Sequence, residues 1–134
     1  MTIRNNGTLE ADKRFTDEAL SIIYEIFKKR PEDGVYDVVI SQTSGSSFGI
    51  IDVNDLVDSS LDDKVAGLIA ALLPLDIHIK GSITYYGDDD GAIWVERDTV
   101  MKIDMEEYAI RTASVYRLLQ ELQNRGFTVT LSID

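Results

Sequence analysis

Residues 77–103 read IHIKGSITYYGDDDGAIWVERDTVMKI, and their spacing decides which folds the chain can adopt. Ile77, Ile79, Ile83 and Tyr85 alternate with His78, Lys80, Ser82 and Thr84, the two-residue period of a strand with one buried face. Gly87 and Gly91 bracket Asp88, Asp89 and Asp90, a composition suited to a loop that returns one strand beside the next. Residues 92–97 and 99–103 continue as strand material, either as two strands or as one bent strand with a bulge near Asp98.

Helical patterns flank this region. Upstream, Phe15, Ala19, Ile22, Ile23, Ile26 and Phe27 recur at helical spacing, with Thr16 as a cap, Asp17 and Glu18 in the first turn, and Phe15 and Leu20 at the positions of a hydrophobic staple. Lys28, Lys29 and Arg30 suit the helix end, and Pro31 and Gly34 stop it. Residues 35–42 and 48–53 are β-branched and aromatic runs around the small polar stretch 43–47, a hairpin pattern. From Val53 through Leu56, Leu61, Val65, Leu68 and Leu72 the apolar period is helical up to Pro74. That predicts a helix over 61–73, capped by Ser60, with a helical or turn-like lead-in from about Asn54.

Downstream, Asp104 and Glu107 make a capping-box-like start, and Ile103 and Tyr108 form a second staple. Tyr108, Thr112, Val115, Leu119 and Leu122 mark the inward stripe, and Gly126 stands where a left-handed cap belongs. Residues 127–133 alternate cleanly as a last strand. Each strand has one apolar face and each helix one apolar stripe. The expectation is a single α+β domain over 1–134: an antiparallel sheet of five or six strands with about three helices packed mainly on one face.

The 134 residues are 44% hydrophobic and 28% charged, a globular balance large enough for a real core. Without cysteine, thiolate metal sites, redox pairs and cysteine nucleophiles are excluded. No apolar run approaches the roughly 18 residues of a membrane span, and the first residues lack a signal-peptide core, so a cytoplasmic protein is expected. The net charge of −11 is concentrated in residues 31–96, which hold 13 acidic residues against Lys64 and Lys80. Elsewhere the two signs cancel. Such a region repels phosphate backbones and anionic membranes and attracts basic protein surfaces.

Motifs of catalysis fail on inspection. Placing Gly91 at the required glycine of a calcium loop puts Tyr86 and Arg97 where carboxylates are needed. The G-x-S-x-G match at 45–49 precedes a strand rather than a helix, with no late histidine, and the same stretch lacks the lysine of a phosphate-binding loop. His78 is the only histidine and reads as an exposed or hydrogen-bonded strand residue. No cofactor is expected. The alternative is a metal-dependent site at Asp88, Asp89 and Asp90, joined by His78 or Glu96.

Asp55, Asp58 and Asp62 are spaced three and four apart, so a helical lead-in would set all three on one face. Tyr86 and Trp94, near the acidic turn, are candidate aromatic anchors. Residues 79–100 resemble a hairpin of small bacterial and phage-associated proteins of unknown function. Gly81, Ile83, Gly87, Asp88, Asp89, Gly91, Ile93 and Trp94 carry the likeness. The resemblance implies an α+β domain of bacterial or mobile-element origin and no catalytic residues.

These readings converge on a non-catalytic, acidic protein-binding module. Its partner is a basic protein surface, such as the nucleic-acid groove of an enzyme inhibited by an immunity or anti-CRISPR-type protein. Asp55, Asp58, Asp62, Asp88, Asp89, Asp90, Tyr86 and Trp94 are the expected contacts, with no direct binding of nucleic acid or membrane. A further alternative is a homo-oligomer paired through residues 127–133.

Overall fold

The strand at the middle of the sheet is one that its own residues disguise. In β1 (Ile3–Ala11) the inward positions are Ile3, Asn5, Gly7, Leu9 and Ala11, and the Asn-Asn-Gly sequence within it imitates a turn. Two contacts make the strand work. Asn5, 1% exposed, donates its side-chain amide to the carbonyls of Leu56 and Asp58, both at 2.9 Å. Gly7 lets the neighbouring backbone approach so closely that a Cβ there would meet the Ser82 carbonyl at 2.3 Å. No strand was expected here, and a polar pair followed by glycine explains why.

The structure is a computed structural model that describes residues 2–28, 36–42 and 48–126. After β1 come α1 (Asp17–Phe27), β2 (Val38–Ser41), β3 (Ile50–Val57) and α2 (Leu61–Leu72), which runs into a 3₁₀ turn (Leu73–Leu75). β4 (Ile79–Gly87), β5 (Gly91–Glu96), β6 (Thr99–Ile103) and α3 (Met105–Asn124) follow. The six strands form one antiparallel sheet in the order β2-β3-β1-β4-β5-β6. The α+β single domain read from the sequence is the fold observed. The last strand expected, 127–133, lies outside the described residues, as does the Pro31 and Gly34 stop signal.

Strand alternation sorts the side chains onto two faces. On one, Leu9, Ile51, Ile83 and Ile93 are fully buried against Ala19 and Ile23 of α1 and Val65, Leu68 and Leu72 of α2. Each such aliphatic side chain contributes about 1.5–3 kcal/mol on burial. On the other face, register aligns Thr8, Ser82, Trp94 and Met101 across four strands. Among the described residues, α3 is the one helix that reaches this side. The Trp94 and Tyr108 rings meet edge to face with centroids 6.3 Å apart, and the Arg111 guanidinium sits 5.2 Å over the indole. Two of the three helices thus cover one face, and the third covers part of the reverse.

Helix boundaries follow the capping chemistry. The Thr16 hydroxyl accepts from the Ala19 amide at 3.1 Å, and Asp104 accepts from the Glu107 amide at 2.7 Å. Ser60 makes no such cap, and α1 ends with Lys28 in the left-handed region. Gly126 is left-handed after α3. Phe15 is fixed before α1 by Gln42, which both accepts from its amide at 2.8 Å and donates to its carbonyl at 3.0 Å.

One local expectation is corrected, and one open alternative is decided. The lead-in to α2 is strand, not helix: Leu56 pairs with Asn5 and Val53 with Gly7, so β3 carries one residue more than β1 between them. This bulge, with Asp55 at φ 53°, spaces the inward residues Ile51, Val53 and Leu56 two and then three apart, which mimics a helical period. The segment after Trp94 is two strands rather than one bent strand. Arg97 and Asp98, at φ 50° and 59°, form a two-residue hairpin turn closed by the Glu96 and Thr99 pair.

Candidate functional site

Topology brings the acidic segments to one end of the sheet, where β1 and β5 begin and β3 and β4 finish. The bridge between them is the start of β1. Asp58 donates its backbone amide to the Ile3 carbonyl at 3.0 Å, while the Thr2 amide donates to the Asp88 carboxylate at 3.0 Å. The chain leading into α2 and the β4–β5 loop therefore flank the same two residues.

The candidate residues nevertheless differ in what they offer. Asp55 receives Arg4 Nη1 at 2.7 Å and the Tyr86 hydroxyl at 3.1 Å. Asp58, its side chain only 10% exposed, receives Lys64 Nζ at 2.5 Å and both the amide and the hydroxyl of Ser60. Burial pushes the Asp58 carboxyl up, but the hydrogen bonds from Lys64 and Ser60 outweigh it and hold the group below its ordinary value. These two aspartates are internal fasteners. The shared helical face expected for Asp55, Asp58 and Asp62 does not exist, because the first sits in a strand bulge, the second in a connection and only the third in α2.

Asp62 lines a small recess with Tyr85 and Lys102, and Asp89 and Asp90 lie in the loop between β4 and β5. Burial raises the Tyr85 hydroxyl above its ordinary value; Lys102, 5.2 Å from its ring centroid, opposes this, and Asp89, Asp62 and Asp90 add to it. None of the three has a cationic side chain within ion-pair distance among the described residues. Asp89 accepts the Asp90 amide at 2.9 Å, which shapes the loop. Tyr86, 50% exposed, stands beside this rim, its hydroxyl raised by the hydrogen bond to Asp55. Trp94 is elsewhere, packed beneath α3, with its indole nitrogen buried and unpartnered among the described residues. Of the two expected anchors, Tyr86 is exposed and Trp94 is packed against Tyr108 and Arg111.

The opposite end holds a cluster that the sequence reading passed over. His78 places Nδ1 2.9 Å from both carboxylate oxygens of Asp98 and Nε2 3.2 Å from Asp76, which also receives Lys13 Nζ at 2.5 Å. The hydrogen bonds with Asp98 and then Asp76 raise the imidazole above its ordinary value. Lys13 and then His78 lower Asp76. Asp76 lies two residues before His78, a spacing that was readable; Asp98 arrives only through the β4–β5–β6 register. His78 is separated from Asp88 by the nine residues of β4, roughly 30 Å at strand rise, and Glu96 by the length of β5. A single metal site uniting these groups is geometrically excluded, and no three metal-ligating side chains cluster among the described residues.

Comparison of the chain with protein-family models, with curated proteins and with solved structures gives no match. Among the described residues, no helix is long and apolar enough to cross a membrane.

Proposed function

We propose that the protein is a non-catalytic binding module whose acidic end docks onto a cationic protein surface. The partner is a protein whose own ligand is polyanionic, so that occupation of its basic groove blocks it. A cysteine-free chain suits a cytoplasmic encounter. The observation that carries the reading is the joining of the α2 lead-in and the β4–β5 loop across Thr2 and Ile3, which gathers Asp62, Asp89 and Asp90 on one rim. Asp55 and Asp58 shape that rim from within, and Tyr86 supplies an amphipathic ring at its border.

Affinity purification at low ionic strength, with mass spectrometry of the proteins released as salt is raised, tests this directly. Basic proteins eluting with salt support it; recovery of only acidic or uncharged proteins by salt-insensitive contacts overturns it. With a partner in hand, Asp62→Lys with Asp89→Lys slows association more than it speeds dissociation.

A further inference from the structure

The face of the sheet turned away from α1 and α2 carries two grooves that share Glu10 and Lys80 and so run into one another. The larger, about 460 Å³, opens at the His78 end between Phe48, Lys80 and Arg97. The smaller, about 380 Å³, continues past Ser82 to Trp94. Both volumes lie in the range of small-molecule sites.

The charges within them are not equivalent. Asp98 accepts from the His78 ring, Asp12 accepts the His78 backbone amide at 2.9 Å, and Glu96 lies 4.0 Å from Arg111. Both Asp98 oxygens and one Asp12 oxygen are engaged with the protein, whereas Glu96, 53% exposed, is only loosely paired. Lys80 and Arg97 are exposed, and their side chains have no hydrogen-bond or ion-pair partner among the described residues. Arg97 is held out by the left-handed turn of the β5–β6 hairpin. In a chain of net charge −11, the cationic side chains left open in this groove are an ammonium and a guanidinium, which stand beside the carboxylates of Glu10, Asp12, Glu96 and Asp98. Glu10 stands directly across the β1–β4 ladder from Lys80, with no side-chain hydrogen bond or ion pair among the described residues.

We propose that this groove binds a small organic anion, its charged head between Lys80 and Arg97 and its apolar body against Phe48. A guanidinium and an ammonium together suit a phosphate or carboxylate head, the former offering a planar fork and the latter a mobile point charge. Phe48 and Ala11 supply apolar wall beside them. The site lies at the other end of the sheet from the acidic rim and does not depend on it.

The single tryptophan lines the smaller groove, so its emission, backed by calorimetry, reads occupancy. Phenyl phosphate and benzoate are the probes for the two kinds of head, with phenol and inorganic phosphate as controls. At least one probe binds saturably with a Kd at or below about 1 mM, and the controls bind at least about tenfold more weakly. Lys80→Gln and Arg97→Asn, the latter able to keep the left-handed turn, each weaken binding by about tenfold. Glu10→Gln strengthens it. Circular dichroism and thermal melting confirm that each variant is folded. No saturable binding of either probe up to about 10 mM, or binding indifferent to all three substitutions in folded protein, overturns the proposal.

Discussion

Asn5 shows how a single polar residue can hold a core. Its amide serves two backbone carbonyls of the β3 exit inside an apolar layer, and burial leaves no water to replace it. Asn5→Ala is expected to lower the unfolding free energy by about 2–4 kcal/mol, checked by urea denaturation, because buried acceptors are left without a donor. His78 and Asp58 act through titration with opposite signs. The His78 value is raised in the fold, so its contribution is complete below pH 6.5 and is lost as pH rises through the folded value. Asp58 is lowered, so its contribution is present above pH 3.8 and is lost as pH falls through the folded value. Melting temperature followed from neutral to alkaline pH should decline less in His78→Gln than in the parent protein. Neither Asn5 nor the His78 pair was legible in the sequence: an asparagine beside asparagine and glycine reads as a turn, and a histidine's partners are fixed by strand register.

At the scale of elements, caps and alternation were readable and irregularities were not. Thr16 and Asp104 cap as their sequence neighbours imply, since a hydroxyl or carboxylate reaching an amide three residues on is a local matter. Thr16→Ala is expected to cost about 1 kcal/mol in thermal or chemical unfolding, with Thr16→Ser nearly neutral. The Asp55 bulge and the turn at Arg97 and Asp98 escaped because five described non-glycine residues, these three among them, adopt positive φ without any glycine to announce it. At Gly87 the glycine marks a close approach: φ is +138° and a Cβ would lie 2.0 Å from the Thr2 carbonyl. Gly87→Ala should therefore destabilise the protein by at least about 2 kcal/mol and weaken the junction that unites the acidic segments, readable as a lower urea midpoint and faster amide exchange at Thr2 and Asp88.

For the molecule as a whole, charge and fold class were legible, but adjacency was not. The sequence located the negative charge in residues 31–96; only the insertion of β1 between β3 and β4 sets the two acidic segments side by side. The same insertion pairs Asp55 with Arg4 of β1, while Asp58 pairs locally with Lys64 of α2, which leaves a smaller rim than a count of aspartates suggests. Concentrated like charge opposes compactness. Asp89→Asn with Asp90→Asn should raise the melting temperature slightly at low ionic strength, an effect that vanishes at about 1 M salt, where the screening length is near 3 Å. The same pair should slow capture of a basic partner.

The position of β1 also has a kinetic consequence. It precedes the other described strands, so both its neighbours are made after it, and the ladder with β4 joins residues far apart in the chain. Until β4 has been made, the first strand has at most one flank satisfied, and the two half-sheets β2–β3 and β4–β5–β6 have nothing to unite them. Assembly is then a late, keystone-like event of high contact order, slower than the helical content alone would suggest.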